Sequence, residues 1–195
     1  STWSLVDPTA GVIGGNMVPS DDTKNAVFTG NLVGTADDQA VGDFTDTTGL
    51  VTVVPGPVSA SVSTVGVDSS SVVVSSGATP ITVTVTVKDA AGNVIPGATA
   101  SIGVSGTNNT TSPSSATTDV NGVAVFTVSS IKAEAKTVTA TVNEVGITSS
   151  TPGVTFTHGV ASQLSIATQP STTATAGVSF IEQPVLNVLD SFGNL

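Results

Sequence analysis

The chain has 195 residues with no cysteine, four lysines, no arginine and fourteen carboxylates, for a formal net charge of −10 at pH 7. That balance excludes nucleic-acid binding, which needs basic residues along a groove, and the lack of thiols excludes disulfides, thiolate metal sites and cysteine nucleophiles. No apolar run approaches the roughly 18 residues that span a bilayer, so this segment is not expected to insert into a membrane. Val, Thr, Ser, Ala and Gly dominate, and no stretch repeats its apolar residues every 3.6 positions; the fold class is all-β.

Residues 1–55 carry half of the carboxylates: Asp7, Asp21, Asp22, Asp37, Asp38, Asp43 and Asp46. Calcium favours clustered carboxylate and carbonyl oxygens on loops, which makes Asp37, Asp38, Asp43 and Asp46 the candidate metal ligands. Their spacing matches no EF-hand or Asp-rich nonapeptide loop, and the competing reading is a solvated acidic loop with no cofactor. The segment SDDTKNAVFTGN (residues 20–31) lies over TTDVNGVAVFTVSS (117–130), with Phe28 on Phe126 at an offset of 98. Likewise LVTVVPGPV (50–58) lies over VTFTHGV (154–160). Residues 1–55 therefore read as the C-terminal half of a domain, followed by a linker, Val54-Pro55-Gly56-Pro57, whose prolines limit bending because they fix φ.

Residues 56–158 read as a whole domain. ITVTVTVKD (81–89) alternates strictly, so Val83, Val85 and Val87 share one face while Thr82, Thr84, Thr86 and Lys88 share the other. Strands are predicted at Val58–Val65, Ser71–Ser75, Ile81–Lys88, Thr99–Ser105, Gly122–Ser129, Lys136–Val145 and Gly153–Thr157, separated by Gly, Asn-Gly and Pro-Gly turns. About seven short strands in about 100 residues is the count of an immunoglobulin-like sandwich. The predicted core is Val83, Val85, Val87, Ile102, Val104, Ala124, Phe126, Val128, Val138, Ala140, Val142, Val154 and Phe156. Two overlapping N-x-Thr sequons make Asn108 and Asn109 the candidate glycosylation sites, in what reads as a polar loop. The only histidine, His158, falls in a linker with no orienting carboxylate nearby in sequence, so no enzyme activity is expected.

Residues 159–195 repeat the start of that domain. LNVLDSFGN (186–194) matches VTVKDAAGN (85–93) at an offset of 101, and GVASQLSI (159–166) matches PVSASVST (57–64) at 102. The chain thus reads as tandem immunoglobulin-like β-sandwiches, one complete and two partial.

Three motifs within residues 58–158 carry a resemblance: KDAAGNVIPGATASI (88–102), TDVNGVAVFTV (118–128) and KTVTATV (136–142). They resemble the D-x-x-G-N-x-x-x-G corner, the T-D-x-x-G-x-A turn and the T-V-T-A-T strand of the bacterial immunoglobulin-like repeats in invasin- and intimin-type adhesins. The resemblance extends more loosely to 160–195 and least to 1–55, where Trp3 and the acidic loops depart from the pattern. It implies an extracellular, cell-surface rod of stacked domains without catalysis. Two arrangements stay open for the partial domains: a window through a longer tandem array, or head-to-tail polymerisation in which residues 160–195 of one copy complete residues 1–55 of the next. The partners are accordingly adjacent immunoglobulin-like domains of a longer chain or neighbouring copies of this one. An adhesin segment binding a host protein or glycan through its loops is the alternative function. It would call for exposed aromatics or arginines, and the chain has no Arg, no Tyr and one Trp.

Overall fold

The computed structural model describes residues 2–6, 8, 17–22 and 24–195, and among them every regular element is a strand. Ser1, Asp7, residues 9–16 and Thr23 lie outside the described residues. The middle of the chain folds into two sheets. One orders β10 (Asn109–Ser112), β12 (Val123–Ser130), β8 (Ile81–Thr86) and β6 (Thr64–Val67). The other orders β11 (Ala116–Thr117), β9 (Thr99–Val104), β13 (Ala135–Val142), β15 (Gly153–Thr157) and β7 (Ser71–Val73), with β14 (Val145–Gly146) hairpinned onto β13.

Alternation sets which face each strand buries. In β8 the odd-numbered Ile81, Val83 and Val85 are buried, in β13 the even-numbered Lys136, Val138, Ala140 and Val142, and β15 contributes Val154 and Phe156. Lys136 apart, these residues meet Val87, Ala124, Phe126 and Val128 in a single core that also takes in Val65, Val74, Ala98, Ala100 and Ile147. Ile102 and Val104 share the inward face of β9 with Ala100 but are only partly buried, because β9 is flanked on one side by a strand of two residues, and Ala98 and Ala100 take the fully buried places.

The structure differs from the sequence expectation at several strands. Residues 59–63 form a turn rather than a strand, since Ser63 N–H bonds back to Ser59 O (3.1 Å) and the Ser63 hydroxyl and Lys88 backbone bond each other. Residues 109–112 form an edge strand rather than a loop. The last strand, β15, runs parallel to β7, pairing Thr155, Phe156 and Thr157 with Ser71, Val72 and Val73.

Two partial sandwiches flank the middle one. On one side β4 (Gly34–Val41) lies between β1 (Thr2–Val6) and β5 (Thr45–Val53), with the separate pair β2 (Met17–Pro19) and β3 (Ala26–Phe28). On the other, β16 (Gln163–Thr168) pairs with β17 (Val185–Leu189).

Candidate functional site: the junction loops

Two polar loops, each following a β8-like strand, reach across to the preceding unit. Asp89 accepts the Ala91 and Asn93 N–H groups on Oδ1 (both 2.9 Å), closing a tight loop in which Gly92 adopts φ +91°. Its Oδ2 accepts the Asn93 side-chain amide at 2.8 Å and the linker N–H of Gly56 at 2.9 Å. Held this way, Asn93 spans the gap: its Nδ2 donates to Asn31 O (2.8 Å), and its Oδ1 accepts Val33 N–H (3.1 Å).

The same set recurs at the next junction. Asp190 accepts Phe192 and Asn194 N–H on Oδ1 (both 2.9 Å) and Gly159 N–H on Oδ2 (2.8 Å), while Gly193 sits at φ +82°. Asn194 then donates to Ile131 O (3.0 Å) and accepts Ala133 N–H (2.9 Å). At both junctions the end of the preceding linker is also tied to the strand that leads into the loop, through Ser59 N–H to Lys88 O and Ser162 N–H to Leu189 O (both 2.8 Å). Asp89, Asp190 and Asn194 are buried, so each loop is a satisfied polar network inside a junction rather than a solvated turn.

The electrostatics agree with that geometry. Burial pulls the Asp89 carboxyl upward, but the bonds from the Asn93 side chain and from the Gly56, Asn93 and Ala91 N–H groups outweigh it, so its pKa lies below the ordinary 3.8. For Asp190, burial is likewise outweighed by Gly159 N–H, the Asn194 side chain and the Asn194 and Phe192 N–H groups, and the carboxyl sits well below the usual carboxylate range. Both loops are therefore anionic acceptors preorganised around N–H donors. Asp119 makes a similar local turn, accepting Asn121 and Val123 N–H (2.8 and 2.9 Å) within its own domain.

The residues singled out from sequence lie elsewhere. Asp37 and Asp38 are consecutive on β4 and so face opposite sides of their sheet, Asp43 is in the turn between β4 and β5, and Asp46 lies across from Ala40 on β5. Among the described residues no three His, Cys, Asp or Glu side chains gather to hold a metal. Asn108 is exposed at φ +57°, whereas Asn109 turns its amide nitrogen inward to Val104 O (3.2 Å) and Ser105 O (3.1 Å). His158 is exposed, with Nδ1 2.9 Å from Gly159 O. Lys136 is buried at the end of β13, donating to Glu134 (2.5 Å) and Thr107 O (2.9 Å) beneath the Phe156 ring.

Sequence reasoning assigned the Asp-x-x-Gly-Asn stretch to a turn and missed its reach into the neighbour. The available signal was its recurrence at an offset of 101: an Asp and an Asn that no apolar core requires are found at both copies.

No curated protein matches the chain. Among solved structures, the E. coli adhesin FdeC superposes with a TM-score of 0.61 at 22% identity, covering 96% of this chain and 64% of that one. Yersinia pseudotuberculosis InvD gives 0.60 at 17% over 99% of this chain and 59% of its own, and invasin, a bacterial integrin-binding protein, 0.58 at 16% over 99% and 47%. At those identities the likeness is one of fold, and the chain spans less than two thirds of each. The profile of the bacterial Ig-like domain, group 1, matches residues 62–157, the segment that forms the closed sandwich, and that segment belongs to this family.

Proposed function

We propose that the chain is a structural segment of an extracellular bacterial stalk or filament, in which stacked Ig-like domains are held at fixed angles by the Asp/Asn junction loops. The observation that carries this reading is the repetition: one loop makes the same hydrogen bonds to the preceding unit and to the linker at two successive junctions. Two contacts to main-chain groups, plus a linker N–H tied to a buried carboxylate, replace a free hinge with a clamp. The low charge and hydroxyl-rich outer faces suit a secreted or cell-surface location, and adjacent Ig-like domains are the partners that such clamps require.

Small-angle scattering combined with residual dipolar couplings tests the clamp. Asn93→Ala removes both contacts to the preceding unit, about 1 kcal/mol each, and should broaden the distribution of angles at the first junction while the middle sandwich melts within about 1 kcal/mol of the parent. Unchanged angular distributions in both Asn93→Ala and Asn194→Ala would overturn the reading.

A further inference from the structure

The two partial sandwiches are complementary strand by strand. In the first, β1, β4 and β5 repeat the order of β9, β13 and β15: Trp3 and Leu5 lie across from Ala40 and Asp38 as Ile102 and Val104 lie across from Ala140 and Val138. The strand β3 stands in the place of residues 124–126 of β12, with Phe28 at the position of Phe126, and at the same offset of 98 its partner β2 lies over residues 115–117, the stretch of β11 that precedes β12. Strands corresponding to β8 and β6 are absent from the described residues of that unit, and β3 pairs only with β2.

At the other end, β16 and β17 are those two strands. Ile166 pairs with Leu186 as Val65 pairs with Val85, each at an offset of 101. Val65 and Val85 are 4% and 0% exposed, whereas Ile166 and Leu186 are 54% and 57% exposed. The difference has a structural source: β8 has β12 on its second edge and a second sheet over its inner face, while β17 has only β16. An apolar pair on a two-strand ribbon with an open edge is a template for another strand.

We propose that the β16–β17 ribbon of one copy completes the open sandwich built from β1 to β5 of a second copy, with β17 adding antiparallel to the free edge of β3. In the middle sandwich Ala124 pairs with Val85, which sets Ala26 of one copy across from Leu186 of the next. The ribbon and the cleft are different surfaces of the same chain, so the contact is heterologous and propagates head to tail. This rests on the reading of the chain as a stacked-domain structural protein and names its partner, a second copy.

The test uses the full chain carrying Ala26→Cys and Leu186→Cys. Oxidation should give a ladder of covalent multimers on a non-reducing gel that collapses to the 19.0 kDa chain on reduction, while either single-cysteine variant stops at dimers. Light scattering should show concentration-dependent multimers for the parent chain and a monomer for Leu186→Asp, with circular dichroism confirming that the middle sandwich persists. A parent chain that stays monomeric at high concentration overturns the proposal, as does a disulfide that joins the two introduced cysteines only within one chain. Either result would indicate that other sequence covers these faces, and the junction angles measured on Asn93→Ala would still decide the stalk reading independently.

Discussion

Asp38 occupies the inward position on β4 that Val138 occupies on β13, and Leu5 lies across from it. Burial, and after it the charge of Asp37, pushes its carboxyl above the ordinary 3.8, and its Oδ1 is buried without a hydrogen-bond partner. A raised folded pKa means that the ionised form opposes folding at neutral pH and that the penalty fades as pH falls through the folded value. Asp38→Asn should therefore raise the melting midpoint of the first unit at pH 7 and lose that advantage at about pH 4. The only tryptophan, Trp3, is on the neighbouring strand and reports the melt; an unchanged midpoint at pH 7 would mean that the carboxylate is not a burden. The junction carboxylates behave oppositely. Asp89 and Asp190 are held below the ordinary value, so their contribution is fully present above about pH 4 and is lost as pH falls through the folded values. Junction angles followed by scattering should hold from neutral pH down to about 4 and broaden below it. Broadening that begins near pH 6 would point to other groups.

Among the elements, the turn from Asp119 to Val123 shows how closely loop geometry and core are tied. Gly122 adopts φ +71°, its carbonyl accepts Val87 N–H at 2.8 Å, and a Cβ there would lie 2.8 Å from Val87 O. Gly122→Ala combines left-handed strain, about 1–2 kcal/mol, with a backbone collision, and a urea melt should show at least that loss. A loss under about 0.5 kcal/mol would mean that the turn relaxes at little expense. The strands around it were legible in the sequence because their alternation is apolar on one side: Val83, Val85 and Val87 in and just beyond β8, Ala124, Phe126 and Val128 in β12, and Val138, Ala140 and Val142 in β13. The strands β10 and β11 were not, since Asn109, Thr110, Thr111 and Ser112 form an edge whose pairing to β12 needs main-chain groups rather than an apolar face. The junction contacts were hidden for a related reason. Asn93 and Asn194 bind carbonyl and N–H groups of residues 31, 33, 131 and 133, and a main-chain partner leaves no mark on side-chain pattern.

At the scale of the whole molecule, a pulling force applied to the chain would enter the middle sandwich through its linkers, and the order of strands decides how it would be borne. Because β7 and β15 run parallel, pulling the N-terminal linker one way and the C-terminal linker the other slides these two strands lengthwise past each other. The hydrogen bonds across that pair, including Thr155 N–H to Ser70 O and Val74 N–H to Thr157 O (both 2.9 Å), are then loaded together rather than one after another. An antiparallel pairing of these two strands would put the same load on a different set of bonds. The contacts at Asp89 and Asp190 add a second consequence: each linker N–H, Gly56 or Gly159, is tied to the domain that follows it, so force reaches β7 only after the Gly56 contact, the Ser59 and Ser63 bonds to Lys88 and the β6–β8 pairing give way. Single-molecule pulling should therefore show a small early yield followed by the main rupture of the middle sandwich, which releases roughly 3.3–3.6 Å of chain per residue. Asp89→Ala should lower the early yield and leave the main rupture force in place. Val74→Pro, which deletes one donor of the β7–β15 ladder, should lower the main force. If Val74→Pro leaves the main force unchanged, the load runs through strands other than β7 and β15, and the parallel pair is not what resists stretching.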